Sequence, residues 1–275
     1  MKAKELYQEG RLDDAIAAAG EEVKLHPGEI APRGFLCELL CFAGQLERAD
    51  KQLDAMGLQD PQSMMGISLF RQLIRAEQAR QQFYDEGRVP EFLDKPSPEL
   101  QLRLQASIAV REGNSEEAMR LLDEAEEQRP RVAGRSGDQP FDDLRDLDDL
   151  SASFFEVLTS TGKYYWIPME RVELVDFRPP ERPRDLLWRR AHMIVCGGPD
   201  GEVFLPSLYP GSHADTDDRI RLGRFTDWRS GDAGVVRGIG QRTFLVGDEG
   251  QPILELENIT VESPVSDSQD GESSS

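Results

Sequence analysis

Long apolar runs are missing from this 275-residue chain: none approaches the ~18–20 residues needed to cross a bilayer. The opening stretch, MKAKELYQEGRLDDAI, is charged and amphipathic and has no signal-peptide core. Cysteine is scarce: Cys37, Cys41 and Cys196 are too few for a disulfide framework. Histidine is equally scarce (His26, His192, His213), with no pair at i, i+4 and no C-x-x-C, so the spacing of a zinc site is absent. Basic charge is short as well, with 32 Lys+Arg against 52 Asp+Glu and a net charge of −20. A nucleic-acid face needs cations to neutralise phosphates, and an anionic lipid surface repels such a chain, so neither partner is expected. At 38% hydrophobic and 31% charged residues the chain reads as globular, soluble and cytoplasmic, with one large or two modest domains.

Signatures of chemistry are thin. Gly234–Gly240 is glycine-rich but lacks the lysine of a phosphate-binding loop, and Gly162-Lys163 lacks both the upstream glycine and the following Ser/Thr. The acidic run Asp142–Leu150 fails the calcium-loop template, because Leu150 and Ser151 fall where an oxygen ligand and a glycine belong. Its leucines recur every three residues, which predicts a short amphipathic helix over about 141–150 with a solvated acidic face. There is no G-x-S-x-G elbow, and His213 near Asp215 reads as a polar surface loop. Cys37 and Cys41 share a helix face but read as small core residues, as does Cys196. No catalytic residue, metal or cofactor is expected.

Repetition carries more. Gly10, Ala15 and Pro27 recur as Gly44, Ala49 and Pro61, and again as Gly113, Ala118 and Pro130. Glycine permits the left-handed turn between two helices, alanine lets them approach, and proline ends the second. An apolar residue follows four places after each alanine (Ala19, Leu53, Leu122). This is the skeleton of a tetratricopeptide helical hairpin. Between the second and third copies, residues 64–86 read as one long helix, and Gly87–Leu93 echo Gly10–Ile16 with Phe92 in place of alanine. The segment reads as a degenerate repeat, making residues 1–133 an all-helical stack. Its concave face should be lined by first helices, offering Glu38 and Phe42 from one repeat and Arg103, Ser107 and Arg111 from another.

From residue 134 the composition turns to Gly, Pro, aromatic and β-branched residues. Strands are expected near 153–158, 163–168, 172–177, 192–196, 202–205 and 242–246, with turn signals between them and no alternating helices. The fold class is therefore α+β: a tetratricopeptide-like helical half (1–133), a mostly antiparallel β-rich half (134–262) and a Ser- and acid-rich disordered tail (263–275). The strand half holds Trp166, Trp188 and Trp228 together with Tyr165 and Tyr209. They read as alternating core members of a sheet or, alternatively, as an exposed patch for a protein partner. Arg178, Arg182, Arg184, Arg189 and Arg190 form a basic stretch suited to the internal acidic run or to an acidic partner. A second reading places Arg224, Asp227 and Trp228 near a ligand-binding or hydrolytic pocket; a third is a holdase using the helical groove.

Several strings are specific enough to name a family. Asp146–Leu150, Tyr164–Pro168 (YYWIP), Arg182–Trp188 (RPRDLLW), Phe204–Ser212 (FLPSLYPGS), Leu222–Trp228 (LGRFTDW) and Arg237–Asp248 (RGIGQRTFLVGD) occur in one order. In this the chain resembles the ImpE family, the TagJ-type accessory proteins of type VI secretion systems also called SciE-type virulence proteins, over about residues 1–262. The resemblance implies an accessory role without catalysis, association with the small subunit of the contractile sheath through a helix, and a link to the ClpV-type ATPase that disassembles the sheath.

Overall fold

The computed structural model describes residues 2–59, 61–230 and 234–262; the expected tail at 263–275 lies outside the described residues. The chain opens with α1 (Lys2–Gln8), α2 (Leu12–Leu25), α3 (Ile30–Phe42) and α4 (Leu46–Gln59). The 23-residue α5 (Met64–Glu86), then α6 (Pro98–Arg111) and α7 (Ser115–Gln128), complete the helical half. Gly10, Gly44 and Gly113 stand between paired helices at φ 79°, 67° and 71°, a region where a Cβ is disfavoured. Ala15, Ala49 and Ala118 are buried at the crossings those turns create. Each of α2 to α5 packs on the helix before it, so the opening helices stack as the repeat predicts.

The degenerate repeat keeps its first helix and loses its second. α5 ends on Gly87 at φ 82°, and residues 88–97 then run without helix. Glu91 bridges the strand Tyr164–Pro168 instead: its N–H donates to Tyr164 O (2.9 Å) and its carbonyl accepts from Trp166 N (3.1 Å). Phe92 is too large for a close helix crossing and packs edge-on against Trp166 (6.1 Å), while Pro90 and Pro96 oppose a helix. The expectation of an all-helical segment to residue 133 is corrected here.

The strand half contains β1 (Gly134–Ser136), β2 (Gln139–Phe141), β3 (Leu144–Asp146), β4 (Phe154–Leu158), β5 (Tyr164–Pro168), β6 (Val172–Phe177), β7 (Trp188–Val195) and β8 (Asp200–Pro206). The short α8 (Asp218–Arg221) follows, then β9 (Thr226–Ser230), β10 (Val236–Gly240), β11 (Thr243–Val246), β12 (Glu249–Pro252) and β13 (Asn258–Val261). An eight-stranded antiparallel sheet runs β2-β1-β13-β6-β7-β8-β4-β5; β12-β11-β3 form a second sheet and β9-β10 a hairpin. A short strand, β3, and then a single 3-10 turn at Asp149–Ser151 occupy the region of the acidic run in place of the expected amphipathic helix. Asp146 accepts from Asp148 N (2.9 Å) and Asp148 from Leu150 N (2.9 Å). These short side chains capture backbone donors and so compete with helix. The run is not a solvated face either, since Asp146 and Asp148 are buried.

β4 explains how the halves join. Its sequence FFEVL is buried throughout. Alternation sends Phe155 and Val157 into the core between sheets, with Phe155 5.5 Å from Phe244. It sends Phe154 and Leu158 into the core that contains α3 and α5. Trp166 stacks on Phe154 (3.9 Å) and meets Phe83 of α5 edge-on (4.9 Å). Helices and strands therefore share one apolar seam.

Candidate functional site

An open groove of about 830 Å³ lies on the concave side of the first helices. Tyr7 of α1, Phe35 and Glu38 of α3, Met56 of α4 and Ile67 and Phe70 of α5 line it, and residues 181–184 of the strand half close one wall. The repeat geometry builds this surface: first helices face inward, and α5 acts as the first helix of the interrupted repeat. Tyr7 meets Phe35 edge-on at 5.8 Å, and the Arg184 guanidinium lies 4.8 Å over the Phe70 ring. Burial pushes the Glu38 carboxyl up to about 7, against the opposing pull of Arg184 and Arg182. Lys4, Arg182 and Arg184 put basic groups around an apolar floor in a chain of net charge −20.

The other groove residues expected from the repeat are placed elsewhere. Phe42 is wholly buried under Tyr7 (6.3 Å), because α1 crosses the end of α3. Arg103 is buried and held by Glu99, Glu126 and the Asp149 carbonyl, since the 149–151 turn docks on α6. Ser107 is buried and donates to Leu104 O (2.7 Å). Arg111 is half-buried and faces a different hollow.

The aromatic patch is likewise corrected, because most of its members are core. Trp166, Trp188 and Tyr209 are buried; Trp188 Nε1 donates to Glu77 (3.1 Å) and Tyr209 donates to Asp146 (2.7 Å). Tyr165 is half-buried on β5, and Trp228, 38% exposed, rests edge-on against Tyr209 (5.7 Å). Arg224 is committed to α1, donating to Gln8 O (2.8 Å) and Tyr7 O (2.6 Å), and Asp227 accepts from its neighbour Trp228 N (2.9 Å). Arg224, Asp227 and Trp228 thus do not converge on a reacting centre. Among the described residues, no three or more His, Cys, Asp or Glu side chains are grouped to hold a metal ion. Cys37 and Cys41 are buried, whereas Cys196 is exposed, contrary to its reading as core.

The basic stretch does not meet the acidic run. Arg189 caps the Ile253 and Leu256 carbonyls (3.0 Å each), Arg190 pairs with Glu202, and Arg178 pairs with Asp176 (2.8 Å). Arg129, Arg145, Arg237 and Arg242 answer the acidic run instead.

A buried ionic network was not anticipated. Glu156 accepts from Arg80 (3.0 and 2.9 Å), Arg242, Tyr84 (3.0 Å) and Tyr164. Arg80 also reaches Glu77 (3.1 Å), and Arg242 reaches Asp146 (2.8 Å). Burial alone would raise the Glu156 carboxyl, but the charges of Arg80 and Arg242 outweigh it and hold it at about 2. Asp146, buried beside Asp148, is pushed up to about 6 despite Arg242. The signal in the sequence was a glutamate inside an apolar strand, which requires partners. The network sits at the seam and couples the halves without opening to a substrate-sized cavity.

Comparisons agree with both halves. A tetratricopeptide-repeat model matches residues 6–65, and the model described as ImpE protein matches residues 138–260. The type VI secretion system accessory component TagJ of Pseudomonas aeruginosa is 34% identical over 254 residues, 92% of this chain and 88% of that protein. The X-ray crystal structure of a Vibrio parahaemolyticus protein superposes with a TM-score of 0.90 at 28% identity, covering 96% of this chain and 99% of that one. With both halves matched and a relative aligned along nearly the whole length, the chain belongs to the ImpE family.

Proposed function

We propose that this protein is a non-enzymatic accessory component of a bacterial type VI secretion system, working in the cytoplasm as an adaptor. Its groove takes an amphipathic helix of the small sheath subunit and links the contractile sheath to its ClpV-type disassembly ATPase. The groove carries the reading: about 830 Å³ bounded by Phe35, Met56, Ile67 and Phe70 accommodates roughly two turns of a helix ~10 Å across. Helix-in-groove recognition uses just such an apolar floor with a polar rim. The relative's name supports the secretion context, and the family resemblance supplies the sheath and ATPase partners. Among the described residues, no helix is long and apolar enough to cross a membrane, which is compatible with a partner in solution.

The test is a pull-down of the small sheath subunit by the full chain and by Gly66→Arg. Gly66 lines the groove, is exposed, and has nothing within 4 Å of an added Cβ, so the arginine obstructs the groove without clashing with its own fold. Capture by the parent and at least about tenfold weaker capture by the variant support the reading, a change of about 1.4 kcal/mol. Equal capture by both removes it. Equal binding of unrelated amphipathic helices points to a holdase instead.

A further inference from the structure

We propose that a second, smaller hollow between the two halves is a binding site for a small tetrahedral oxyanion, either free phosphate or the terminal phosphoryl group of a nucleotide. The hollow has a volume of about 230 Å³ and is lined by three arginines from three elements: Arg111 at the end of α6, Arg229 on β9 and Arg237 on β10. Three guanidinium groups around one hollow are unexpected in a chain with twenty more acids than bases. Like charges drawn to one hollow repel unless anions offset them, and here Asp148 and Asp215 each answer one of the three.

Their existing partners leave donors free. Arg111 Nη1 donates to the neutral Phe83 carbonyl (3.2 Å) and Ser107 Oγ (3.4 Å), and among the described residues no carboxylate pairs with it. Arg237 meets Asp148 through Nε (3.0 and 2.8 Å), and among the described residues neither terminal nitrogen has a hydrogen-bond partner. Asp148 is itself saturated by Leu150 N and Gly238 N (2.9 Å each). Arg229 gives one Nη to Asp215. Asp85, exposed at the rim, is a carboxylate of the lining, and Tyr84 supplies an aromatic wall beneath Arg237 (5.8 Å).

Planar guanidinium forks match the oxygens of phosphate in pairs, which a single carboxylate partner would not exploit as fully. The size sets the ligand class. Sites for drug-sized molecules occupy ~300–1,000 Å³, so this hollow admits a compact anion, or the end of a longer one that projects past Arg229. Because Arg111 belongs to the helical half and Arg229 and Arg237 to the strand half, the bound anion would tie the halves together at a point remote from the helix groove. The inference does not rest on the secretion reading.

Thermal denaturation and titration calorimetry of the full chain in phosphate-free buffer test it, with inorganic phosphate, ADP and ionic-strength-matched chloride as probes. Phosphate at about ten times its Kd should raise Tm by roughly 2–4 °C, and matched chloride should not. ADP binding more tightly than phosphate identifies a nucleotide phosphoryl group, and weaker ADP binding identifies the free anion. Arg111→Gln and the exposed Arg229→Gln should each lose affinity at least about fivefold, with unliganded Tm within about 2 °C of the parent. If Arg111→Gln fails to fold, Arg229→Gln carries the comparison. No binding of either probe up to about 10 mM, or unchanged affinity in Arg229→Gln, overturns the proposal.

Discussion

Glu156 lies between Phe154 and Leu158 on the helix-facing side of β4, so strand alternation folds a carboxylate into an apolar seam. Arg80 and Arg242 compensate it, and removing the charge leaves two buried cations with one carboxylate each, Glu77 for Arg80 and Asp146 for Arg242. Glu156→Gln should therefore destabilise the protein by about 3–5 kcal/mol in urea denaturation, and a loss below about 1 kcal/mol would contradict the network's role. Its folded value near 2 lies below the unfolded value of ~4.3. The stabilisation is accordingly complete above about pH 4.3 and disappears as pH falls through about 2. Glu38 has the opposite sign. Its folded value near 7 exceeds the unfolded ~4.3, so the folded state binds the proton first and gains stability as pH falls from above 7 toward 4.3. Glu38→Gln should stabilise by about 1–2 kcal/mol at pH 8 and by almost nothing near pH 4. A pH-independent difference would reject the burial of that carboxyl. At this scale Glu38 was legible as a groove residue because the repeat sets the inward stripe of α3. Phe42 and Arg103 were not, since α1 and the 149–151 turn, distant in sequence, cover them.

Among the elements, α1 and α2 are tied to α8 and the residues after it by polar groups about two hundred positions away in sequence. Arg224 holds the last carbonyls of α1, while Asp218 accepts from Leu12 N (2.8 Å) and so caps α2 from outside. Arg221 then pairs with Asp13 (3.0 Å). Asp218→Ala should cost about 0.5–2 kcal/mol, the range of a lost helix cap, and should speed amide exchange in the first turn of α2. Unaltered exchange there would mean that the cap does not support the helix. These contacts were invisible in the sequence, whereas the helix pairs themselves were plain from Gly10, Gly44 and Gly113. The β4, β5 and β6 runs were also legible from β-branched and aromatic residues bounded by turns. The acidic run misled because leucines every three residues imitate a helix, while Asp146 and Asp148 take the backbone donors a helix needs.

For the whole molecule, the shared seam means that the halves do not have separate interiors. Phe70 packs edge-on against Trp188 (6.0 Å) and Phe83 against Trp166 (4.9 Å), joining α5 to the sheet. All three tryptophans belong to the strand half, whereas most helical residues belong to the other. Urea unfolding followed by tryptophan fluorescence and by helical circular dichroism should give coincident midpoints, as one cooperative unit requires. Midpoints separated by more than about 0.5 M would contradict the common core. The seam also explains why the helical half should be studied within the full chain, because its removal would expose Phe70 and Phe83 to water. The groove lies beside this seam with one wall from each half.

The most direct measurement attaches a photocrosslinker to A31C in a Cys196→Ser background and mixes the protein with the small sheath subunit. Ala31 is exposed and lines the groove, and the comparison site is E21C on α2, outside the groove lining. The account predicts that the position-31 probe crosslinks to a helix of the sheath subunit and that the position-21 probe does not. Equal crosslinking from both positions, or crosslinking from position 21 alone, would contradict capture in the groove.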